Sequence, residues 1–318
     1  MLFRVKTGER VERAFNTARW FPQQVGGQIA SETVKGYYID LTDAAKQPGW
    51  PPPWLHPGSL HVGVCQWGLA SYDRYLAGDG EEWLTAALAA ASHLLETQEQ
   101  TGPFEGGWVH RTPFPHTYSL QPPWLSGIVQ GQAASLLVRL HLETGEGRFA
   151  DGARGAVRPL SVPIEERGLL ARLNGEPFPE EYPTDPPSFV LNGGIYALWG
   201  HYDIWLGLGD ADAKRRFEDG SETLAQNLHR WDTGFWSRYD LYPHRIVNLA
   251  APWYHTLHIC QLRVFNQIAP RSEFAETANR FESYAASKVK ASQAFTHKVV
   301  FRLLSPKRSP LSRLRAQR

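Results

Sequence analysis

Cysteine is almost missing from this chain: there are two in 318 residues, Cys65 and Cys260, and neither belongs to a CxxC pair or has a histidine at ligand spacing. That excludes a disulfide scaffold and the common zinc motifs, and leaves both as buried thiols in apolar helical stretches. A charge excess is also missing. With 33 Lys and Arg against 32 Asp and Glu, the formal net charge is +1, which removes any general electrostatic reason for a nucleic-acid partner. No apolar run reaches the length of about 18 residues that a transmembrane helix needs. The opening stretch "MLFRVKTGERVERAF" lacks the apolar centre of a signal peptide, so a cytoplasmic location is the expectation. GxSxG, the P-loop and the dinucleotide fingerprint are all absent, and "GDGEEW" and "GLGDAD" are turns, too short for calcium loops.

Aromatic residues are plentiful: 12 Trp, 12 Tyr and 15 Phe, many beside Pro or Gly. They suit a cleft that stacks on sugar rings, and equally a well-packed aromatic core. Hydrophobic residues make up 42% of the chain, enough to bury one large domain or two small ones.

Residues 1–60 read as an N-terminal arm, with "GYYIDLT" a candidate strand and "PGWPPPWLHPG" too rich in proline for helix. Eight helical patterns follow, from "HVGVCQWGLASYDRYLAG" to "RSEFAETANRFESYAAS", separated by Gly/Pro loops. They fall into four pairs, which start near residues 61, 124, 187 and 252. In each pair an apolar, Gly-containing helix precedes a more charged, amphipathic one, as expected of an inner and an outer helix. The predicted fold is therefore mainly α: an incomplete (α/α) toroid of about four helix pairs over residues 61–290, with an ordinary helical repeat protein as the competing architecture. A basic tail occupies residues 291–318. From Lys298 to Arg318 it holds seven Lys or Arg and no acid. It reads as a frayed, solvated terminus, or as a contact for anionic lipid, an acidic glycan or a partner.

The long aromatic loops of such a toroid gather at one end. "EEYPTDPPSFVLNGG" sets Glu180, Glu181 and Tyr182 before a proline-rich turn, so they lie at a loop end. Taken alone, they read as a solvated acidic pair near a helix N-terminus. "WSRYDLYPHR" brackets Asp240 with Tyr239 and Tyr242, followed by His244 and Arg245. This group is able to bind a carboxylate and tune a phenol, and alone it reads as a structural loop cluster. "WYHTLHICQL" opens an inner helix with Tyr254, His255 and His258. The two histidines share a face, but no third ligand stands at a diagnostic spacing, so no metal is expected.

With these segments in place, the chain resembles the C-terminal domain of the D-glucuronyl C5-epimerases, which convert D-glucuronate to L-iduronate within heparosan and heparan-type chains. The likeness runs from "LSGIVQGQAASLLVRLHLETG" to "FESYAASK", and "EEYPT.P.SFVLNG" and "YHT.HI.QL" are its most specific parts. It implies a catalytic set of Glu181, Tyr182, Tyr239 and Tyr254, in which Glu181 and Tyr254 exchange the C5 proton on opposite faces of the sugar. Tyr182 and Tyr239 orient the substrate and support the charge. No metal or redox cofactor is implied, the partner is a glucuronate-containing acidic polysaccharide, and a homodimer is allowed for. The family tends to carry a basic residue directly after "YDL", where this chain has Tyr242. Arg245, His244, Arg111 and His116 are then the candidates for holding the substrate carboxylate, with Tyr242, Asn192 and His255 as further binding residues. A polysaccharide lyase shares the first proton abstraction and is the alternative reading, followed by a non-catalytic glycan-binding domain.

Overall fold

The computed structural model describes residues 48–305 apart from 53, 54, 56–59, 77 and 116. The candidate strand "GYYIDLT", most of the N-terminal arm, His116 and the last 13 residues therefore lie outside the described residues. Four helices form the inner layer: α1 (His61–Leu76), α3 (Gly127–Thr144), α5 (Leu191–Leu208) and α7 (Pro252–Ile268). Each is followed by an outer partner packed against it: α2 (Glu81–Thr97), α4 (Gly147–Val157), α6 (Ala211–Asn227) and α8 (Ser272–Ala286). Neighbouring inner helices touch in chain order, α1 on α3, α3 on α5 and α5 on α7. This is the expected four-pair toroid.

The layering follows from the residues. In α3 all fourteen residues from Gly127 to Leu140 are buried, and in α5 all fourteen from Leu191 to Ile204. A helix apolar around its whole circumference has to sit between other elements. By contrast, α6 buries one stripe that includes Ala213, Phe217 and Leu224 and turns its charged face outward. The closest crossing in the inner layer is made by glycines, since a Cβ on Gly200 would lie 2.6 Å from Gly131 Cα. Beside it, Arg139 Nη1 of α3 donates to Asp203 Oδ2 of α5 at 3.0 Å, both side chains almost fully buried. Trp67, Trp108, Trp199 and Trp231 are fully buried, so much of the aromatic content belongs to the core. Cys65 is buried and Cys260 half-buried, and the two do not form a disulfide.

Within each pair the connection is short. Gly209 caps α5 in the left-handed conformation, and Asp210 caps α6 by accepting from Ala213 N at 2.8 Å. The connections between pairs are long and carry the only named strands among the described residues: β1 (Phe114–Pro115) pairs with β2 (Ser119–Leu120), and β3 (Leu170–Leu173) with β4 (Glu176–Pro179).

Two sequence expectations are corrected. The inner helix after the proline-rich turn starts at Leu191 rather than near residue 187. The basic tail is not frayed from its start, because residues 288–304 form a further helix, α9 (Lys288–Leu304), packed on the preceding loop through Phe301, Ala294 and Lys298. No helix among the described residues is long and apolar enough to cross a membrane.

Candidate active site

The hairpin β3–β4 delivers the chain to Glu180, whose amide donates to Leu169 O at 2.7 Å. Glu180 is fully buried and serves the backbone. Its carboxyl accepts from Phe189 N at 2.8 Å and from Ser188 Oγ at 3.0 Å, folding the proline-rich turn back on itself. Phe189 sits at φ +45°, a region most side chains avoid. It is held there from both sides, because its carbonyl accepts from Trp231 Nε1 at 2.9 Å. This strained residue sets where α5 begins.

Glu181 points the other way. Its side chain occupies space left by Gly193 in the first turn of α5, where a Cβ would lie 2.3 Å from Glu181 Cβ and 2.4 Å from Oε2. In "LNGG" Gly193 thus makes room for the acid, while Gly194 makes room for the Phe178 ring, where a Cβ would lie 2.6 Å from Phe178 Cε1. Glu181 is buried, and Oε2 has no hydrogen-bond partner among the described residues. Burial pushes its carboxyl up to about 8, against the opposing hydrogen bond from Tyr182, with the charges of Glu180 and Asp240 adding to the rise. Glu180 is likewise pushed up to about 8 by burial.

The "YDL" loop is sewn to this turn by its backbone. Leu191 N donates to Tyr239 O at 3.2 Å and Leu241 N to Ser188 O at 2.8 Å. Between these two bonds lies Asp240, fully buried, which accepts from Tyr118 Oη at 2.5 Å and Asn248 Nδ2 at 2.6 Å, with His244 Nε2 at 3.2 Å. Tyr118 comes from the connection between α2 and α3, so Asp240 ties that connection to the "YDL" loop. Tyr239 meets Tyr254 of α7 edge to face at 5.0 Å. The phenols form a series: Tyr182 hydrogen-bonds to Glu181, Tyr239 to Tyr182, and Tyr239 to Tyr254. Burial raises all three, Tyr182 and Tyr239 well above the ordinary phenol and Tyr254 to about 12. Glu181 adds to each rise by its charge, whereas the charge of Arg302 acts downward on Tyr254.

Glu181, Tyr182, Tyr254 and Asn192 line a cavity of about 210 Å³. Its wall includes residues from the first turns of all four inner helices, among them Val62, Ile128, Asn192 and Trp253. Four positive helix ends therefore converge on it, an arrangement that favours an anion. Two further polar atoms of its wall, Asn192 Oδ1 and Tyr196 Oη, are buried without a partner among the described residues. The aromatic side is Trp124, stacked on His110 at 4.1 Å. Burial and neighbouring His61 push His110 down to about 3, so this ring is neutral.

The expected acid, three tyrosines and Asn192 are thus brought together, and the other candidates are not. His255 is spent inside the core: Nε2 donates to Phe281 O at 2.9 Å, Nδ1 accepts from Ser237 Oγ at 2.7 Å, and the ring stacks on Trp236 at 3.8 Å. Arg111 is exposed and pairs with Glu99 at 2.6 Å. Arg245 is exposed and does not line the cavity. His244 and Tyr242 pack on Tyr118, so they support Asp240 rather than the cavity. His116 is outside the described residues.

Sequence reading missed Tyr118, Tyr196 and Arg302. The first two carry no charge or spacing signal in the sequence. Arg302 lies on α9 and was counted with the tail. Its Nη1 is buried with no hydrogen-bond partner among the described residues, and its charge is felt at Tyr254.

Residues 102–283 match the family model described as D-glucuronyl C5-epimerase C-terminus. The chain is 30% identical over 253 residues to the D-glucuronyl C5-epimerase of Caenorhabditis elegans, a match covering 74% of this chain and 40% of that protein. It is 32% identical over 148 residues to an uncharacterized protein of Methanocaldococcus jannaschii, covering 43% of this chain and 46% of that one. The chain thus spans less than half of the length of either relative. Among solved structures, the unsaturated glucuronyl hydrolase of Bacillus sp. GL1, responsible for the degradation of glycosaminoglycan, overlays with a TM-score of 0.44 at 13% identity, over 74% of this chain and 61% of that one. That overlay is too loose to bear on the site.

Proposed function

Because the chain belongs to the D-glucuronyl C5-epimerase family, we propose that it inverts C5 of D-glucuronate residues in a heparosan-like polysaccharide, giving L-iduronate. The observation that carries this reading is a buried carboxyl with one oxygen unpartnered among the described residues, linked through Tyr182 and Tyr239 to Tyr254, which lines the same cavity.

A hydrogen alpha to a carboxylate is a very weak acid, so its removal needs a positioned base and stabilisation of the enolate-like intermediate. In this reading the Glu181 carboxylate takes the C5 proton, and the electron pair of the broken C–H bond moves into the sugar's carboxylate. Tyr254 then gives its phenolic proton to the other face of C5, leaving a phenolate that the Arg302 charge favours. The enzyme is now one proton out of place: Glu181 is neutral and Tyr254 is charged. The hydrogen-bond series through Tyr182 and Tyr239 offers a route for that proton from Glu181 back to Tyr254. The return is downhill, because Tyr254, at about 12, holds a proton more tightly than Glu181, at about 8. The four helix ends and Arg302 supply positive potential for the substrate carboxylate.

The test is to incubate heparosan with the protein in D2O. Deuterium at C5 together with iduronate signals is the expected result, abolished in Glu181→Gln and Tyr254→Phe proteins that still unfold in one cooperative thermal transition. Ultraviolet absorbance from unsaturated chain ends would identify a lyase instead, and binding without exchange a glycan-binding domain. Full activity in both variants would overturn the site.

A further inference from the structure

We propose that the outward face of α9 is a membrane-binding surface that lies in the plane of an anionic lipid interface. The helix has two opposed sides. On one, Phe301 and Ala294 are buried, His297 Nε2 donates to Val247 O at 2.8 Å, and Lys298 Nζ donates to Asn248 Oδ1 at 2.7 Å, fixing α9 to the 239–249 loop. On the other stand Val289 (77% exposed), Phe295 (65%), Val299, Val300, Leu303 (76%) and Leu304. Among the described residues these six are the large hydrophobic side chains that are exposed, and all belong to this one helix. At about 100° per residue Val289, Phe295, Val299, Val300 and Leu303 fall on the half of the helix opposite Phe301 and Ala294, with Leu304 just past its border.

Charge selects the occupant. Residues 288–318 carry nine of the chain's 33 Lys and Arg and none of its 32 Asp and Glu, so residues 1–287 hold 24 cations against 32 acids. A second copy packed face to face on α9 would bring two such cationic segments together. Residues 1–47 of the same chain, with seven Lys or Arg against five acids, offer no complementary charge either. An acidic polysaccharide would answer the charge and leave six apolar side chains in water. A lipid surface with anionic headgroups answers both: the apolar stripe enters the headgroup boundary, and exposed Lys288 meets the phosphates, with the basic composition of the chain's last residues adding to the attraction. This surface is separate from the cavity, and the inference does not depend on the epimerase reading.

The experiment is flotation of the full chain with vesicles of phosphatidylcholine alone and with phosphatidylglycerol as the minority lipid, alongside light scattering without lipid. Phe295→Ser/Leu303→Ser changes two exposed side chains and leaves the packed face intact, and the melting temperature checks that it folds. Binding only to the anionic vesicles, weakened about tenfold or more in the double variant, is the expected result. The proposal is overturned if the wild type ignores anionic vesicles. It is also overturned if the variant binds them equally well, which would reduce the effect to tail charge. A dimer that the double variant dissolves would assign the face to a second copy and overturn it too.

Discussion

Arg302 is the residue whose side chain says most about the cavity. A substrate carboxylate needs positive charge, and among the cavity's lining residues the one basic type is histidine, with His110 neutral. Arg302 has a buried nitrogen without a partner among the described residues and acts on Tyr254. Arg302→Gln should raise KM for the polymer and lower kcat, together costing about 2–4 kcal/mol in kcat/KM, the usual size for losing one buried electrostatic donor. Steady-state kinetics with an Arg302→Lys control checks it, since lysine restores charge without the planar fork. Glu181 governs pH. With its carboxyl at about 8 and Tyr254 at about 12, kcat/KM should climb with pH to a plateau above about 8. The forward- and reverse-competent forms differ only in which group holds one proton, so epimerisation in both directions should show the same ascending limb. Different limbs measured from glucuronate-rich and iduronate-rich polymers would break the proposed return of the proton.

At the scale of the element, the glycines and α9 show what the sequence made legible. The eight paired helices could be read because Gly/Pro loops punctuate them and because inner and outer members differ in polarity. The ends of "EEYPTDPPSF", "YDLYPHR" and "YHTLHI" could be assigned to one end of the toroid for the same reason. What could not be read was contact across distance. Tyr118 reaches Asp240 over 122 positions, and no local pattern announces it. His255 looked available beside Tyr254, yet one helical step turns it into the core. The tail was read for its charge, and α9 buries only Ala294 and Phe301, too thin an apolar stripe to mark a packed helix. Gly193 belongs here as well. Gly193→Ala gains up to about 1 kcal/mol in helix propensity, against an overpacking cost of about 1–3 kcal/mol where the new Cβ meets Glu181. The expected outcome is a small net loss of stability with a loss of turnover of about 100-fold, read from a thermal melt and an exchange assay on the same sample.

For the whole molecule, the buried acids set the pH dependence of stability. Glu180 and Glu181 hold their protons to about 8 when folded, against the ordinary 4.5. Between those values the unfolded chain has released protons that the native state retains. The stability is thus fully present below about 4.5 and lost as pH rises through 8, by up to about 1.4 kcal/mol per pH unit for each group. The melting temperature of Glu181→Gln should therefore decline less than that of the wild type across this range. An equal decline in calorimetry would remove Glu181 from the account.

The fastening of α9 beside Tyr239 and Tyr254 also bears on how fast a substrate arrives. A chain whose first 287 residues are net acidic and whose last 31 are wholly basic is an electric dipole, and four of its cations, Lys288, Lys290, Lys298 and Arg302, are fixed on the helix that borders the tyrosines. A polyanion diffusing nearby is turned away by the acidic body and drawn toward that helix. Such steering acts on the encounter and fades as the screening length shortens to about 10 Å at 0.1 M salt. Added salt should therefore depress kcat/KM several-fold while kcat holds steady, with the ionic atmosphere setting the rate of capture before any proton moves.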